Sequence, residues 1–148
     1  MLPPSDIDIR LADLDEIIGV REAVLIRPTA FTSPYFEGDR EASTVHAGAF
    51  HGALCVGCVT LMPRPLGGEP AWQLRGMAVD ERWQRQGIGS RLLVFAEMYT
   101  EGEFGGRTLW CNAQVRAVPF YVRFGWETFG GEFDIPGAGL HQRMAKRR

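Results

Sequence analysis

At 148 residues, 45% apolar and 23% charged, the chain has the length for one domain with a sizeable core, and its composition is that of an ordinary globular protein. A net charge of −2 leaves no basic footprint for nucleic acid, and the closing Lys146-Arg147-Arg148 reads as a solvated tail. No apolar run reaches membrane-spanning length, Met1 to Ser5 lacks a signal-peptide pattern, and three cysteines are too few to staple a domain of this size, so cytoplasmic residence is the default expectation.

Ile7, Ile9 and Leu11 alternate with polar residues as a half-buried first strand. Asp13 with Glu16 three residues on marks a helix start, and Leu14, Ile17, Ile18 and Leu25 recur on one stripe that stops before Pro28. Pro28 to Arg40, rich in Pro, Ser, Gly and aromatics, reads as loop or short helix near a substrate mouth. Residues 44–50 and 53–63 bracket His51-Gly52 as a hairpin, and a Pro/Gly loop over 63–70 leads to a strand from Ala71 to Val79. After a glycine turn, Ile88, Leu92, Phe95, Ala96 and Tyr99 keep a helical period until Gly102. A strand from Thr108 to Asn112 follows, then a short helix with Pro119 in its first turn and Gly125 as its cap. Residues 126–129 and 139–144 make two closing strands. The order is βα(α)βββαβαββ without repeats, which predicts a single domain over 1–148 of α/β (α+β) class.

Cys55 and Cys58 form a C-x-x-C, but inside a strand pattern, where residues three apart point to opposite faces. A redox C-x-x-C opens a helix and a zinc pair needs a second ligand pair, so no metal is assigned.

The stretch Gln84-Arg85-Gln86-Gly87-Ile88-Gly89-Ser90 lies between a strand and a helix. A helix that starts in a glycine turn presents unpaired N–H groups and the positive end of its dipole, which together suit phosphate. Three phosphate-binding loops share that outline. The Gly-x-x-x-x-Gly-Lys-[Ser/Thr] loop fails because the only lysine is Lys146, and the dinucleotide fingerprint lacks its third small residue, since Leu92 stands there. Gln-x-x-Gly-x-Gly remains.

That motif resembles the coenzyme A loop of the GNAT acyltransferase superfamily. Leu109-Trp110-Cys111-Asn112 followed by Phe120-Tyr121-x-x-x-Gly125-Trp126 resembles the family's next strand and its Phe-Tyr-x-x-x-Gly-aromatic helix, and Phe133 to Gly137 with His141 and Met144 looks like the tail of one bacterial branch. The resemblance runs from the Ile7 strand to Met144. It implies the GNAT fold, a mixed central sheet with splayed strands flanked by helices, and an N-acetyltransferase that moves an acetyl group from acetyl-CoA, its acyl-donor cosubstrate, to an amine by direct attack. It further implies a small-molecule or peptide acceptor and allows a homodimer, while charge and hydropathy lead to the expectation of no nucleic-acid or membrane partner.

Residue by residue, the resemblance puts backbone groups of Met77, Ala78 and Val79 against the pantetheine arm, an N–H there also facing an oxyanion. Gln84, Arg85, Gln86, Gly87, Ile88, Gly89 and Ser90 would hold the pyrophosphate. Asn112 would lie near the pantetheine or the amine, and Tyr121 would be the acid that protonates the leaving thiolate. The family's frequent strand carboxylate is missing from Trp72 to Val79. His46, His141, Glu132 and Asp134 are base candidates by type alone, and Arg75 reads either as an anion site for the acceptor or as half of a surface salt bridge. The 28–40 loop with residues around Trp72 and Arg75 is the expected acceptor site. Two other readings stay open: a catalytically degenerate acyl-CoA-binding or sensing domain, and a nucleotide-binding module built on the same glycines.

Overall fold

A computed structural model describes residues 6–148, so the expectation for Met1 to Ser5 lies outside the described residues. Strand β1 (Ile7–Ala12) ends at Asp13, whose backbone N–H donates to Glu16 Oε1 at 2.9 Å and closes the expected capping box on helix α1 (Leu14–Arg21). The helix loosens into a π turn over Glu22–Ile26 before Pro28. β2 (Val45–His51) and β3 (Leu54–Pro63) form the hairpin, and β4 (Trp72–Val79) follows. After α2 (Ile88–Thr100) come β5 (Thr108–Gln114), the short α3 (Val118–Val122), and the strands β6 (Glu127–Thr128), β7 (Phe133–Ile135) and β8 (Gly139–Arg147). They make one mixed sheet in the order β1-β2-β3-β4-β5-β8-β6, with β7 pairing β8 and only β4–β5 parallel.

Helices cover both faces. Ile88, Leu92, Leu93 and Ala96 of α2 join Val59, Leu61, Leu74, Leu109, Cys111, Tyr121 and Trp126 in the main core. On the opposite face Ile17 and Val20 of α1 pack on Cys58 and Ala78. Among the described residues no helix is long and apolar enough to cross a membrane.

Three expectations need correction. The tail carries a strand, β7, that three residues are too few to announce by periodicity. The closing basic residues are not a solvated tail: β8 runs on to Arg147, Lys146 pairs with Glu97 at 2.6 Å, Arg147 pairs with Glu69 at 3.2 Å, and the Arg148 guanidinium donates to the Glu97 and Gly106 carbonyls. Cys55 and Cys58 do not face opposite sides. The β2–β3 register steps from Ala49↔Gly57 to Phe50↔Cys55, so a bulge at Val56 resets the alternation and both thiols pack toward α1. Burial pushes the Cys58 thiol up to about 12, far from a reactive thiolate, and the described residues contain no His/Cys/Asp/Glu group that could hold a metal ion.

Candidate active site

The site begins where the sheet comes apart. β4 and β5 pair only at Trp72↔Leu109 and Gln73↔Trp110. On its other edge, β4 keeps step with β3 at Thr60↔Arg75 and again at Cys58↔Ala78, so Gly76 and Met77 together face one residue, Val59. That bulge bends β4 away from β5. Gly76 sits at φ +63°, and a Cβ on it would meet Phe36 Cε2 at 3.0 Å, so glycine is what lets both the bulge and the ring fit. The result is a cleft of about 630 Å³ between the diverging strands.

Strand alternation decides which backbone groups face the opening. The Asp80 N–H donates to the Val56 carbonyl at 2.8 Å, so the Val79 N–H and carbonyl turn away from β3 into the gap, while Ala78 addresses β3 opposite Cys58. The Val79 carbonyl accepts from Gln84 Nε2 at 2.9 Å, which ties the strand end to the following turn. In that turn Arg85 adopts φ +64° and Gly87 φ +82°, and Gly87 is the N-cap of α2 without a side-chain cap. The first helical bond is Arg91 N–H to the Gly87 carbonyl, which leaves the Ile88, Gly89 and Ser90 N–H groups without helical partners. No acidic residue occupies the first turn. A Cβ at Gly89 would touch Phe120 only at an ordinary 3.7 Å, so the open space above this turn is not demanded by the protein's own packing. These features fit a pyrophosphate.

Two faces of the sheet meet at the opening. Tyr121, from α3, is 5% exposed beside Trp126, with ring centroids 5.2 Å apart, and lines the cleft from the α2 side. Its hydroxyl has no hydrogen-bond partner among the described residues, yet it is not sealed from solvent. Burial raises its pKa well above the ordinary 10, so it holds its proton. On the α1 side, Asn112 Oδ1 accepts from Arg143 Nε at 3.1 Å, and Gln114 lies opposite His141 in the β5–β8 ladder. His141 is 6% exposed and lines the same cleft. Its Nδ1 sits 2.7 Å from the Gly139 carbonyl, which can only accept, so Nδ1 carries a proton and the lone pair of the neutral ring is on Nε2. The one hydrogen bond of this ring among the described residues is the one through Nδ1.

The other base candidates fall elsewhere. His46 Nε2 faces the Asp39 carbonyl at 3.0 Å and its Nδ1 faces Thr60 Oγ1 at 2.8 Å, so both ring nitrogens are engaged. Glu132 and Asp134 are exposed and do not line the cleft. His46 belongs to a network the sequence reading missed: Arg21 Nη1 and Nη2 grip Asp39 at 2.7 and 3.1 Å, and Nη2 also reaches Thr60 Oγ1 at 2.7 Å. A charged residue four positions after Ile17 on the buried stripe of α1 was the available signal. This pair anchors the 28–40 loop, whose Thr29, Phe31, Tyr35 and Phe36 form one wall of the cleft. Trp72 is a correction: its ring lies in the core against Tyr99, on the face opposite the loop, and Gln73 lines the cleft instead.

The model of the acetyltransferase (GNAT) family matches residues 14–126. The chain belongs to the GNAT acetyltransferase family. It is thus a GNAT-family N-acetyltransferase. The N-acetyltransferase YitI of Bacillus subtilis (strain 168), itself uncharacterized, is 29% identical over 143 residues, 95% of this chain and 95% of that protein. Escherichia coli ElaA superposes with TM-score 0.80 at 16% identity over 95% of this chain and 99% of that one. An aminoglycoside 6′-N-acetyltransferase solved with coenzyme A gives TM-score 0.70 at 16% identity, covering 95% of this chain and 96% of that one. Likeness at such identities shows the GNAT fold alone, the splayed mixed sheet expected from the motifs.

Proposed function

We propose that this GNAT chain, read as a single domain over 1–148, acetylates an amine by direct attack in a ternary complex, with its two proton-transfer groups on opposite faces of the split sheet. The observation that carries this reading is the pairing of His141 on the α1 face with Tyr121 on the α2 face, both fronting one opening.

Acetyl-CoA, when bound, supplies the acetyl group as a thioester. The turn from Gln84 to Ser90 suits its pyrophosphate, through the free N–H groups of Ile88, Gly89 and Ser90 and the left-handed residues Arg85 and Gly87. Met77, Ala78 and Val79 border the path of the pantetheine, and the Val79 N–H is a fixed donor for charge that develops on a carbonyl oxygen. Asn112, with its Oδ1 held by Arg143, keeps its amide nitrogen for the ligands in the cleft. His141 Nε2 takes the proton from the amine as its nitrogen bonds to the acyl carbon, which answers the missing carboxylate on β4. Tyr121 gives its proton to the sulfur that departs.

The test is calorimetry with acetyl-CoA followed by thiol release across amino acids, polyamines, aminoglycosides and peptides. Wild type is expected to bind and release thiol with an amine. His141→Gln is expected to bind acetyl-CoA normally while losing turnover by roughly 10²-fold. Coenzyme binding without thiol release for any amine would instead support the degenerate sensing domain, and stabilisation by NAD or ATP but not by coenzyme A would support a nucleotide module.

A further inference from the structure

The cleft wall on the α1 side holds a guanidinium with no paired carboxylate among the described residues. Arg75 stands on β4 opposite Thr60, one turn of the pleat from Gln73, and lines the cleft. The surface salt bridge that the sequence allowed does not form: no carboxylate among the described residues comes within 4.0 Å. The acids in its neighbourhood are committed elsewhere. Asp39 is gripped by Arg21 at 2.7 Å, Glu41 is paired with Arg64 at 3.0 Å, and Glu37 is exposed and offers Arg75 only its backbone carbonyl, 3.3 Å from Nη1. Arg75 is also held in place. Its Nη1 reaches Met62 Sδ at 3.7 Å, and its guanidinium carbon lies 5.0 Å from the Phe36 ring centre, a ring that also carries Arg21 at 3.9 Å. Nη2 and Nε have no partners among the described residues.

Partial burial disfavours the Arg75 charge, with desolvation as the leading cause of its lowered pKa. The charges of Asp39 and Glu37 offset part of that cost without bonding to Arg75, and its planar fork keeps free N–H donors that fit an oxyanion with two oxygens.

We infer that the acceptor is an amine that also carries an oxyanion, a carboxylate or a phosphate, bound by Arg75, with its amine turned to the opening beside Asn112 and His141. This rests on the acetyl-transfer reading above and names its substrate class. Arg75, Asn112 and His141 line one cleft, so one small acceptor can present its anion to the first and its amine to the other two. Phe31 and Tyr35 on the facing loop suit an apolar substituent.

The experiment measures thiol release with matched acceptor pairs: α-amino acids against their amides, O-phosphoethanolamine against ethanolamine, and spermidine as a polycation. Wild type is expected to favour the oxyanion member of a pair by roughly 10–100-fold in kcat/KM, the worth of charge-assisted hydrogen bonds. The first pair identifies a carboxylate and the second a phosphate. Arg75→Gln should erase that preference while leaving acetyl-CoA affinity unchanged, and Arg75→Lys should keep part of it. Equal or better turnover of the amides, ethanolamine or spermidine overturns the inference and leaves acetyl transfer standing, as does an Arg75→Gln enzyme that keeps the wild-type preference. Acetyl-CoA bound in calorimetry with no turnover of any oxyanion amine also overturns it. Failure of acetyl-CoA to bind removes the acetyl-transfer reading itself.

Discussion

A Cβ on Gly89 would rest 3.7 Å from the Phe120 ring, an ordinary van der Waals contact, so the fold itself tolerates a side chain at this position. Gly87, two residues earlier, sits at φ +82°, a left-handed conformation that side chains rarely adopt. The two glycines of one motif therefore separate ligand space from backbone conformation.

Gly89→Ala is expected to keep the wild-type melting temperature, or raise it slightly, because alanine suits a helix better than glycine. Acetyl-CoA affinity should fall about tenfold or more, the equivalent of ~1.4 kcal/mol. Calorimetry beside thermal melts reads both. An unchanged Kd in Gly89→Ala would take the pyrophosphate away from this turn.

Tyr121→Phe keeps the ring against Trp126 and removes a hydroxyl that has no hydrogen-bond partner among the described residues, so stability should change by less than about 0.5 kcal/mol. Turnover should drop roughly 10²-fold with coenzyme affinity retained. Since burial holds the phenol pKa well above 10, the wild-type rate should show no loss from Tyr121 ionisation through pH 10. Steady-state kinetics with an identified acceptor decide it, and a wild-type kcat in the Phe variant would mean that the thiolate leaves without this acid.

Arg21 and Asp39 meet at 2.7 Å with side chains 0% and 1% exposed. Asp39→Ala strands a buried guanidinium and should cost about 3–5 kcal/mol in urea unfolding, whereas the double change Arg21→Met with Asp39→Leu should cost clearly less. The single variant should also loosen the 28–40 loop, because Asp39 Oδ2 accepts from the Phe36 N–H at 2.6 Å. A single-variant loss near 1 kcal/mol would show the pair to be solvated in solution.

Stability should decline in alkali. Burial raises Cys58 and Cys111 from 9.0 to about 12 and raises Tyr121 as well. Above pH 9 the unfolded chain releases these protons while the folded chain keeps them, so the unfolded state binds fewer protons and unfolding free energy falls with pH. The full contribution is present below pH 9 and is lost progressively toward about 12. Denaturant midpoints at pH 8 and pH 10.5 measure the slope, and Cys111→Ala should reduce it. A flat profile would mean that the thiols are not buried in solution.

Much of this protein could be read from neighbours along the chain. The capping box of Asp13 and Glu16, the hairpin at His51-Gly52, the glycine turn before Ile88 and the cap at Gly125 each depend on contacts within a few residues, which local sequence specifies. The family motif is legible for the same reason, since Gln84 to Ser90 is one continuous turn. Phase was the weak point. One inserted residue at Val56 moved Cys55 to the face of Cys58, and the bulge at Gly76 and Met77 opened β4 from β5, because a bulge reverses every later side chain without changing the local pattern. Only the tertiary structure decided which charges are paired and which are free. Arg21 meets Thr60 across 39 residues and Lys146 meets Glu97 across 49, while Arg75 was left without a carboxylate among the described residues and His141 was brought to the wall of the cleft. Those outcomes come from burial and pairing between distant segments, which no short stretch of sequence encodes.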